Sequence, residues 1–357
     1  MGNNKNIKVG MAMSGGVDST VAAALLKEQG YAVYGFFMLL PVPEQEAQQE
    51  RVSKVAEILQ IPLKFIDLET HFTDTVINYF LSAYRQGLTP NPCIYCNQYI
   101  KFGLFLRAML AAGMRKTASG HYAQIRGNQG QSLIARSPDP SKDQSYFLCR
   151  VNAQQLDNHI FPLGQWNKQQ TYLQAKSMGF DFQGQESQDV CFLPGDLYSF
   201  LSSRGLKEHP GKIITTSGTC LASHQGIWSY TIGQRRGLGV PDATPWYVTA
   251  IDAPNNQIVI GKNEELLHET LTVHALQWHR KPALFPWQGV VQIRSRHAPV
   301  RAKLTLAGPK RGRIVFAKPQ RAITPGQYAA FYDGDKLIGS GIIEKYQQQR
   351  STVPSCS

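Results

Sequence analysis

A short segment near the amino end most limits the folds that this chain can adopt. Residues 14–20 read Ser-Gly-Gly-Val-Asp-Ser-Thr, and they lie between the apolar run 7–13 and the helix-prone run 21–26. A strand that ends in a glycine-rich turn and opens a helix aims several backbone N–H groups at one point, where the helix dipole favours an anion. An ordinary strand–turn–helix corner rarely carries so many hydroxyls. The sequence therefore predicts a phosphate-binding loop here.

The residue types of this loop suit a nucleotide. Gly15 and Gly16 let the backbone turn tightly and approach a ligand, and Asp18 could hold a Mg²⁺ ion that neutralises phosphate charge. The loop has no lysine and is not the Walker sequence. It resembles instead the pyrophosphate loop of ATP pyrophosphatases, which cleave ATP between the α and β phosphates and adenylate a substrate. The resemblance implies ATP and Mg²⁺ as ligands, with ATP held by Ala12, Met13, Ser14, Gly15, Gly16, Val17, Asp18 and Ser19.

The first 204 residues alternate strand-prone and helix-prone runs, which predicts an α/β domain with a parallel sheet. Ligands in such sheets bind at the carboxyl ends of the strands, where the loop lies. After the first strand and its helix, we expect further strands at 32–39 and 63–68, and helices at 44–60, 71–86 and 100–112.

The remainder of the chain is β-rich. Short runs broken by Gly, Pro and Asn predict a small central β domain over 205–276. A C-terminal β-barrel is expected over 277–346, and the polar tail 347–357 is expected to be disordered. The five predicted barrel strands are 289–294, 300–306, 313–317, 327–332 and 336–344.

Composition and hydropathy favour a cytoplasmic protein without a membrane partner. The chain has 357 residues, of which 42% are hydrophobic and 17% charged, as in globular proteins of two or three domains. No secretory signal precedes the first strand, and the longest apolar stretch, about 12 residues at 31–42, is too short to span a bilayer.

The positive charge is concentrated in one block. The net charge is +12, and residues 271–332 contain eleven Lys or Arg and no Asp or Glu. The rest of the chain is nearly neutral, with 26 basic and 25 acidic residues. Because aromatic residues such as Trp278 and Trp287 are interleaved with the charge, the block is typical of a surface that binds a nucleic-acid backbone.

Three of the six cysteines are candidates for chemistry. In a cytosolic chain, cysteines favour reactive or metal-binding roles over structural disulfides. The candidates are Cys93, Cys96 and Cys191. We interpret Cys149, Cys220 and Cys356 as bystanders, because they lie in apolar or tail contexts.

Several ordered segments together resemble the tRNA-specific 2-thiouridylase family. The match covers about residues 7–345. The segments are Met13-Ser-Gly-Gly-Val-Asp-Ser, Thr89-Pro-Asn-Pro, Cys96-Asn, Ile100-Lys-Phe-Gly, Gly120-His-Tyr-Ala, Ser141-Lys-Asp-Gln-Ser-Tyr-Phe-Leu, Ser187-Gln-Asp-Val-Cys-Phe, Thr231-Ile-Gly-Gln-Arg-Arg-Gly-Leu-Gly, Trp246-Tyr-Val and Thr324-Pro-Gly-Gln-Tyr-Ala-Ala-Phe-Tyr-Asp-Gly.

The resemblance implies a pyrophosphatase domain, a central β domain and a C-terminal barrel, and an enzyme that replaces O2 of the tRNA wobble uridine by sulfur. Transfer of AMP to O2 creates a leaving group, and a cysteine persulfide then supplies sulfur. The family pattern implies that Cys191 carries the persulfide and that Cys96 resolves it, leaving a disulfide. The sulfur would come from a persulfide carrier or a cysteine desulfurase relay.

The resemblance also implies ligand contacts. Met38 and Gly120 match positions that hold the nucleoside of ATP, and Asn91, Pro92 and Cys93 match the segment that receives the target base. The tRNA-contact positions are matched by His121, Lys142, Asp143, Gln144, Arg294, Ser295 and Gln327.

Two features depart from the family pattern. The stretch after Met38 is short and lacks the family's longer acidic insert. Position 93 is usually Asp and here is Cys, so Cys93, Cys96 and Cys191 together supply three thiolates. Related thiolases hold a [4Fe–4S] cluster with three thiolates, and soft ligands favour iron–sulfur or zinc. A closed zinc site would need a fourth ligand, and there is no second C-x-x-C. Persulfide chemistry and a cluster both remain open.

Two other classes of protein fit parts of the sequence. Pyrophosphate loops also occur in amide-forming ligases such as GMP synthetase and NAD synthetase, which have no use for paired reactive thiols. A non-catalytic RNA-binding protein would explain the basic block and leave the loop and Cys191 idle. ATP turnover that depends on tRNA and a sulfur donor would separate these classes.

Overall fold

A parallel five-stranded sheet forms the first part of the fold. The structure is a computed structural model that describes residues 4, 6–127, 130–182 and 190–345. The expected tail 347–357, Cys356 and Ser187-Gln-Asp of the matched segments lie outside these residues. The sheet order is β3-β2-β1-β4-β7, with all neighbours parallel. Its strands are β1 Lys8–Ala12, β2 Ala32–Leu39, β3 Leu63–Asp67, β4 Lys116–Ala118 and β7 His159–Ile160.

Strands β2 and β3 extend the sheet on one side of β1, and β4 and β7 extend it on the other side. This switch in the strand order places a ligand crevice outside the carboxyl ends of β1 and β4. The helix that follows β1 is almost entirely buried, with Val21 and Leu26 fully inaccessible. The helices of this domain are α1 Val17–Glu28, α2 Gln45–Ile58, α3 Glu69–Phe72, α4 Asn78–Arg85, α5 Pro92–Cys96, α6 Leu106–Ala111, α7 Ala153–Leu156, α8 Lys168–Ser177 and α9 Leu197–Ser203.

Two of the predicted helices contain π-helical turns. Thr73–Ile77 joins α3 to α4, and Asn97–Phe105 joins α5 to α6. The second of these composite helices begins at Pro92, eight residues before the predicted start at residue 100. Asn91 caps it, since its side chain accepts the Ile94 N–H at 3.2 Å, and proline is tolerated at the first helical position.

A four-stranded central sheet follows, in the order β10-β11-β8-β9. Its small core contains Ile213, Val248, Ile258 and Ile260, all inaccessible to solvent. The strands are β8 Gly211–Thr215, β9 Cys220–His224, β10 Tyr247–Asp252 and β11 Gln257–Gly261.

Six antiparallel strands form the C-terminal barrel, in the order β12-β15-β14-β13-β16-β17, and β12 pairs with β17 to close it. This confirms the predicted fold class. The first strand, β12, was not expected, and the predicted boundary between residues 276 and 277 falls inside it. The strands are β12 Leu267–Trp278, β13 Trp287–Gln292, β14 Val300–Leu306, β15 Gly312–Arg321, β16 Tyr328–Asp333 and β17 Lys336–Ile343.

The barrel packs directly on the first domain. A hairpin of β5 Ala123–Arg126 and β6 Leu133–Arg136 pairs with β17. The buried Tyr146 hydroxyl donates to the carbonyl of Tyr328 at 3.0 Å, and the hydroxyl of Ser340 donates to the carbonyl of Cys149 at 2.8 Å. In the part of the chain that the structure describes, no helix is long and apolar enough to cross a membrane.

Candidate functional site

The predicted phosphate loop joins β1 to α1 at the carboxyl edge of the sheet. Gly15 has φ +74, a conformation that favours glycine, and a Cβ there would lie 3.0 Å from the backbone nitrogen of Val52. The hydroxyl of Ser19 accepts the Ser14 N–H at 3.1 Å and donates to the carbonyl of Gly16 at 3.0 Å. Among the described residues no side chain caps α1, so its first N–H groups can bind an anion.

Two residues from distant parts of the chain hold the Asp18 carboxylate. Lys168, the first residue of α8, donates to both carboxylate oxygens at 2.8 Å, and the Tyr122 hydroxyl donates to one of them at 2.7 Å. Burial, together with the charge of Asp18, raises the pKa of Tyr122 far above its usual value, so the phenol remains a donor. A Mg²⁺ ion at Asp18 would have to displace Lys168. The cation that the loop lacks in sequence is thus supplied by α8.

The positions assigned to the nucleoside lie at the same edge of the sheet. Met38 is the last residue but one of β2, and Gly120 follows β4. A Cβ on Gly120 would lie 3.0 Å from the carbonyl carbon of Asp18 and 3.1 Å from the nitrogen of Ser19. Glycine therefore lets this segment pack against the start of α1. The remaining residues assigned to ATP are Ala12, at the end of β1, and the buried Met13 and Val17.

Helix α5 carries the segment assigned to the target base and two of the cysteines. Asn91 is its cap and Pro92 its first residue; Cys93 is exposed and Cys96 is 7% exposed. Cys191 is also exposed. The next residue, Phe192, is buried in the hydrophobic cluster that contains Cys96, which holds Cys191 near this helix.

The three thiols interact electrostatically with one another and with Lys101. Burial, with smaller contributions from the charges of Cys191 and Cys93, raises the pKa of Cys96 to about 12. Although Cys93 and Cys191 are exposed, the surrounding protein partly desolvates their sulfurs, and this loss of hydration raises the pKa of each thiol. The Lys101 ammonium opposes the shift at all three sulfurs. It lies on the π-helical turn after α5.

The cysteines do not meet the requirements of a cluster site in this arrangement. No three His, Cys, Asp or Glu side chains within the described ranges are placed to hold a metal ion. A [4Fe–4S] cluster on Cys93, Cys96 and Cys191 would need all three thiolates to converge. We therefore derive no step through a cluster.

A chain of hydrogen bonds joins His121 to strands β4 and β7. His159 on β7 bonds the Thr117 hydroxyl through Nδ1 at 2.8 Å and the Ser119 hydroxyl through Nε2 at 2.9 Å. The same Ser119 hydroxyl lies 2.8 Å from Nδ1 of His121. Burial lowers the pKa of His159 to about 3, and burial followed by the charge of Lys101 lowers that of His121 well below its usual value. Both imidazoles are therefore neutral at pH 7.

The predicted tRNA-contact run 142–144 is tied into the first domain. The Asp143 carboxylate accepts from the Arg136 guanidinium at 2.9 Å and from the Ser145 hydroxyl at 2.8 Å. The Gln144 side chain accepts the N–H of Tyr122 at 2.9 Å. Lys142, in the same turn, is partly buried. These bonds give Asp143 and Gln144 internal roles, and RNA contacts by this run stay a prediction.

The barrel residues assigned to tRNA differ in accessibility. The Arg294 guanidinium donates to the carbonyl of Ala322 at 2.7 Å and to the Thr324 hydroxyl, and burial lowers its pKa. Gln327 donates to the carbonyls of Thr89 and Pro90 at 2.8 and 3.2 Å. Ser295 is exposed. Gln327 thus joins the barrel to the target-base segment, and Arg294 is engaged within the protein.

Comparison with known proteins decides the family. Three family models match the chain, described as a tRNA methyl transferase HUP domain over residues 7–195, a tRNA methyl transferase PRC-barrel domain over 199–262 and an aminomethyltransferase beta-barrel domain over 268–343. The chain is 45% identical to the tRNA-specific 2-thiouridylase MnmA of Desulfotalea psychrophila, over 95% of this chain and 99% of that protein. It belongs to the tRNA-specific 2-thiouridylase family.

Proteins of the same name from Magnetococcus marinus and Trichlorobacter lovleyi are 42% and 40% identical, each over 94% of this chain and at least 97% of the relative. The predicted resemblance to the 2-thiouridylase family is therefore confirmed. The matches cover the pyrophosphate loop, the helix of Cys93 and Cys96, and the barrel.

Sequence reasoning missed three members of the site. Lys168 and Tyr122 reach Asp18, and Lys101 interacts with the thiols and with His121. Tyr122 and Lys101 lie inside the matched segments Gly120-His-Tyr-Ala and Ile100-Lys-Phe-Gly, which was the available signal. Lys168 lies 150 residues from Asp18 and outside every matched segment.

Proposed function

We propose that this protein catalyses the ATP-dependent 2-thiolation of the wobble uridine of tRNA. The observation that supports the proposal is that a series of neighbouring residues connects the phosphate loop to the thiols. Gly120 packs on the loop, and the adjacent His121 interacts with Lys101, which also interacts with Cys93, Cys96 and Cys191. A nucleotide on the loop would therefore lie beside the sulfur chemistry.

In the first step, O2 of the uracil attacks the α-phosphorus of ATP, and pyrophosphate leaves. The first-turn N–H groups of α1 and the Lys168 ammonium are placed to receive the developing phosphate charge. The C2–O2 bond then carries an adenylate, and AMP becomes a leaving group. A neutral His121 beside the loop can orient the base without adding charge.

In the second step, the terminal sulfur of a persulfide on Cys191 attacks C2, and AMP leaves with O2. The Cys96 thiolate then attacks the inner sulfur of Cys191, so that the S–S bond breaks, a Cys96–Cys191 disulfide forms and the thiocarbonyl remains on the base. A thiol reductant returns the disulfide to two thiols, and a sulfane-sulfur donor reloads Cys191. Because burial holds the pKa of Cys96 near 12, Cys96 is protonated at rest and releases its proton to water as it attacks.

Each alternative function leaves some residues of the site without a role. Methyl transfer, which the family-model descriptions mention, needs neither a pyrophosphate loop nor paired thiols. An amide-forming ligase would leave Cys96 and Cys191 without a role, and a non-catalytic RNA-binding protein would leave the loop idle. The tRNA name of the relatives and the acid-free basic block favour an RNA substrate.

The proposal is tested by incubating the protein with ATP, tRNA, a cysteine desulfurase and cysteine, followed by nucleoside mass spectrometry. Wild-type protein is expected to form 2-thiouridine, and Cys96→Ser and Cys191→Ser are each expected to lower its formation by at least a hundredfold. Both variants should still release pyrophosphate in a tRNA-dependent manner, because adenylation precedes sulfur transfer.

Cys220→Ser is the matched control, since Cys220 is an exposed free cysteine on the central domain, and it should retain wild-type activity. Absence of 2-thiouridine with wild-type protein, or near-normal activity in either active-site variant, would contradict the proposal.

A further inference from the structure

Three tyrosines form a ladder beside the segment assigned to the target base. The rings of Tyr79, on α4, and Tyr95, on α5, are stacked with centroids 4.0 Å apart and planes within 8°. Tyr95 in turn contacts Tyr99, with centroids 4.6 Å apart and a tilt of 54°. Tyr95 lies between Cys93 and Cys96 in sequence, so the ladder is attached to the helix that carries the thiols.

The inner end of the ladder lies beside the barrel. Burial raises the pKa of the Tyr79 phenol, and the Tyr328 side chain and the Asn91 backbone lie close enough to oppose that shift. Tyr328 is on the barrel and only 1% exposed. The inner ring thus lies close to the barrel and to the cap residue of α5, whose side-chain amide donates to the Gln327 side chain at 3.5 Å.

The outer end is open. The Tyr99 side chain is 42% exposed, whereas its neighbours on the helix, Ile100 and Phe102, are at most 2% exposed. A ring that served only to complete the core would be covered as these two are. Tyr95 and Tyr99 are four residues apart and therefore share one side of the helix.

The charge around the ladder suits RNA. Residues 75–138 contain seven Lys or Arg and no Asp or Glu. This is a second acid-free block, separate from residues 271–332, and outside the two blocks the chain has nineteen basic and twenty-five acidic residues. The ladder and the target-base segment both lie inside the new block, where phosphates meet no carboxylate from the same stretch of chain.

We propose that Tyr99, backed by Tyr95 and Tyr79, is a stacking platform for a nucleobase that adjoins the target uridine. The proposal rests on the proposed function for the identity of the RNA. Sequence-specific enzymes read single-stranded RNA loops by splaying the bases and stacking them on aromatic rings. Tyr99 lies six residues after Cys93, a rise of about 9 Å along the helix, which is within reach of a neighbouring nucleotide.

The test uses an anticodon stem-loop RNA with 2-aminopurine on either side of the target uridine. Binding to wild-type protein should quench the probe at one of these positions, because the fluorescent base stacks on Tyr99. Tyr99→Ala and Tyr99→Leu should each abolish that quenching and weaken RNA binding by about tenfold. Tyr99→Phe and Tyr99→Trp should retain both, since each keeps an aromatic face.

Tyr198→Ala is the matched control. Tyr198 is 41% exposed and contacts Trp228 with centroids 4.9 Å apart, but its hydroxyl donates to the Glu208 carboxylate at 2.8 Å, an unsuitable setting for RNA. The control should bind and quench as wild type does. Tyr99→Leu keeps the apolar volume, so a loss in that variant at an unchanged melting temperature reports the aromatic face.

Wild-type quenching and affinity in Tyr99→Leu would overturn the platform. The outcome is independent of catalysis. Thiolation with normal binding by Tyr99→Leu would contradict the platform alone, whereas quenching at Tyr99 without any 2-thiouridine would contradict the proposed function alone.

Discussion

At the scale of single residues, the ion pair between Lys168 and Asp18 links the start of α8 to the phosphate loop. The Lys168 ammonium lies 2.8 Å from both carboxylate oxygens of Asp18, and its side chain is largely buried. When a polyphosphate binds, this ammonium would exchange its bonds to Asp18 for bonds to phosphate. The carboxylate, in turn, holds the ammonium in place beside the first turn of α1.

We expect Lys168→Met to weaken the binding of ATP and pyrophosphate by about 10- to 100-fold, as for loss of a charge-assisted hydrogen bond. AMP binding should change little, because AMP lacks the phosphates that the ammonium would reach. Equilibrium dialysis with the three ligands measures the difference. Lys176→Met, on the exposed last turn of the same helix, should behave as wild type.

A double variant separates direct contact from the effect of an unpaired Asp18. If Lys168→Met acts only by exposing the carboxylate charge, adding Asp18→Asn should restore ATP binding. If the ammonium contacts phosphate, the double variant should remain weak. An equal loss of AMP and ATP binding in Lys168→Met would argue for a structural role.

Candidate residues within one contiguous segment could be identified from the sequence, and residues that reach the loop from elsewhere in the fold could not. Ser14, Gly15, Asp18 and Ser19 form one contiguous loop, so their residue types alone indicated a phosphate site. Lys168 reaches that loop only because the parallel sheet brings α8 against α1, which local patterning does not encode. Arg294 was assigned to tRNA by the resemblance, and the sequence did not indicate its internal bonds to Ala322 and Thr324.

At the scale of elements, the paired strands β4 and β7 place His159 between two hydroxyls. The pKa of His159, about 3, lies below the ordinary value near 6.5. Between these two pH values the unfolded chain therefore binds a proton at this imidazole and the folded chain does not. Stability from this group is therefore fully present above about pH 6.5 and is lost progressively as the pH falls toward 3.

We expect His159→Gln to flatten the dependence of unfolding free energy on pH between 7 and 4.5, by up to about 1.4 kcal/mol per pH unit. Urea unfolding at a series of pH values gives this slope, and a constant loss of stability from the substitution does not alter it. The exposed His71 provides the control, and His71→Gln should keep the wild-type slope. An unchanged slope in His159→Gln would contradict a neutral His159.

Element boundaries were predictable where one pattern dominated. The strand at 32–39 agrees with β2 in both bounds. The helix that carries Cys93 and Cys96 was missed over its first eight residues, because Pro90 and Pro92 are typical of a loop. In the structure, Asn91 serves as the cap and Pro92 occupies the first helical position, where an N–H would have no partner within the helix. Strand β12 was missed because the barrel was expected to begin only after the break at 276–282.

At the scale of the whole molecule, the two acid-free blocks meet. Gln327 of the barrel donates to the backbone of Thr89 and Pro90, so the basic C-terminal block adjoins the basic segment around the thiols. One RNA could therefore contact the barrel with its backbone and α5 with its target base. The sequence alone indicated the charge of the barrel, but not which of its arginines face outward.

Strand β14 carries two cationic side chains that face outward. Arg301 and Lys303 are exposed and line a groove on the barrel surface with Gln288 and Phe316. They are tested for phosphate contact in addition to Arg294, whose guanidinium is bonded to the carbonyl of Ala322 and whose contact with RNA stays a prediction.

We expect tRNA affinity to fall steeply with salt, and the double substitution Arg301→Ala with Lys303→Ala to reduce the slope of log K against log salt by about one to two units. Affinity should drop for every tRNA tested, while ATP affinity stays unchanged. Lys54→Ala with Lys64→Ala removes the same charge from exposed positions on α2 and β3 and should leave the slope as it is. If both pairs flatten the slope equally, net charge governs binding. If neither pair changes it, this face of the barrel lies outside the RNA path.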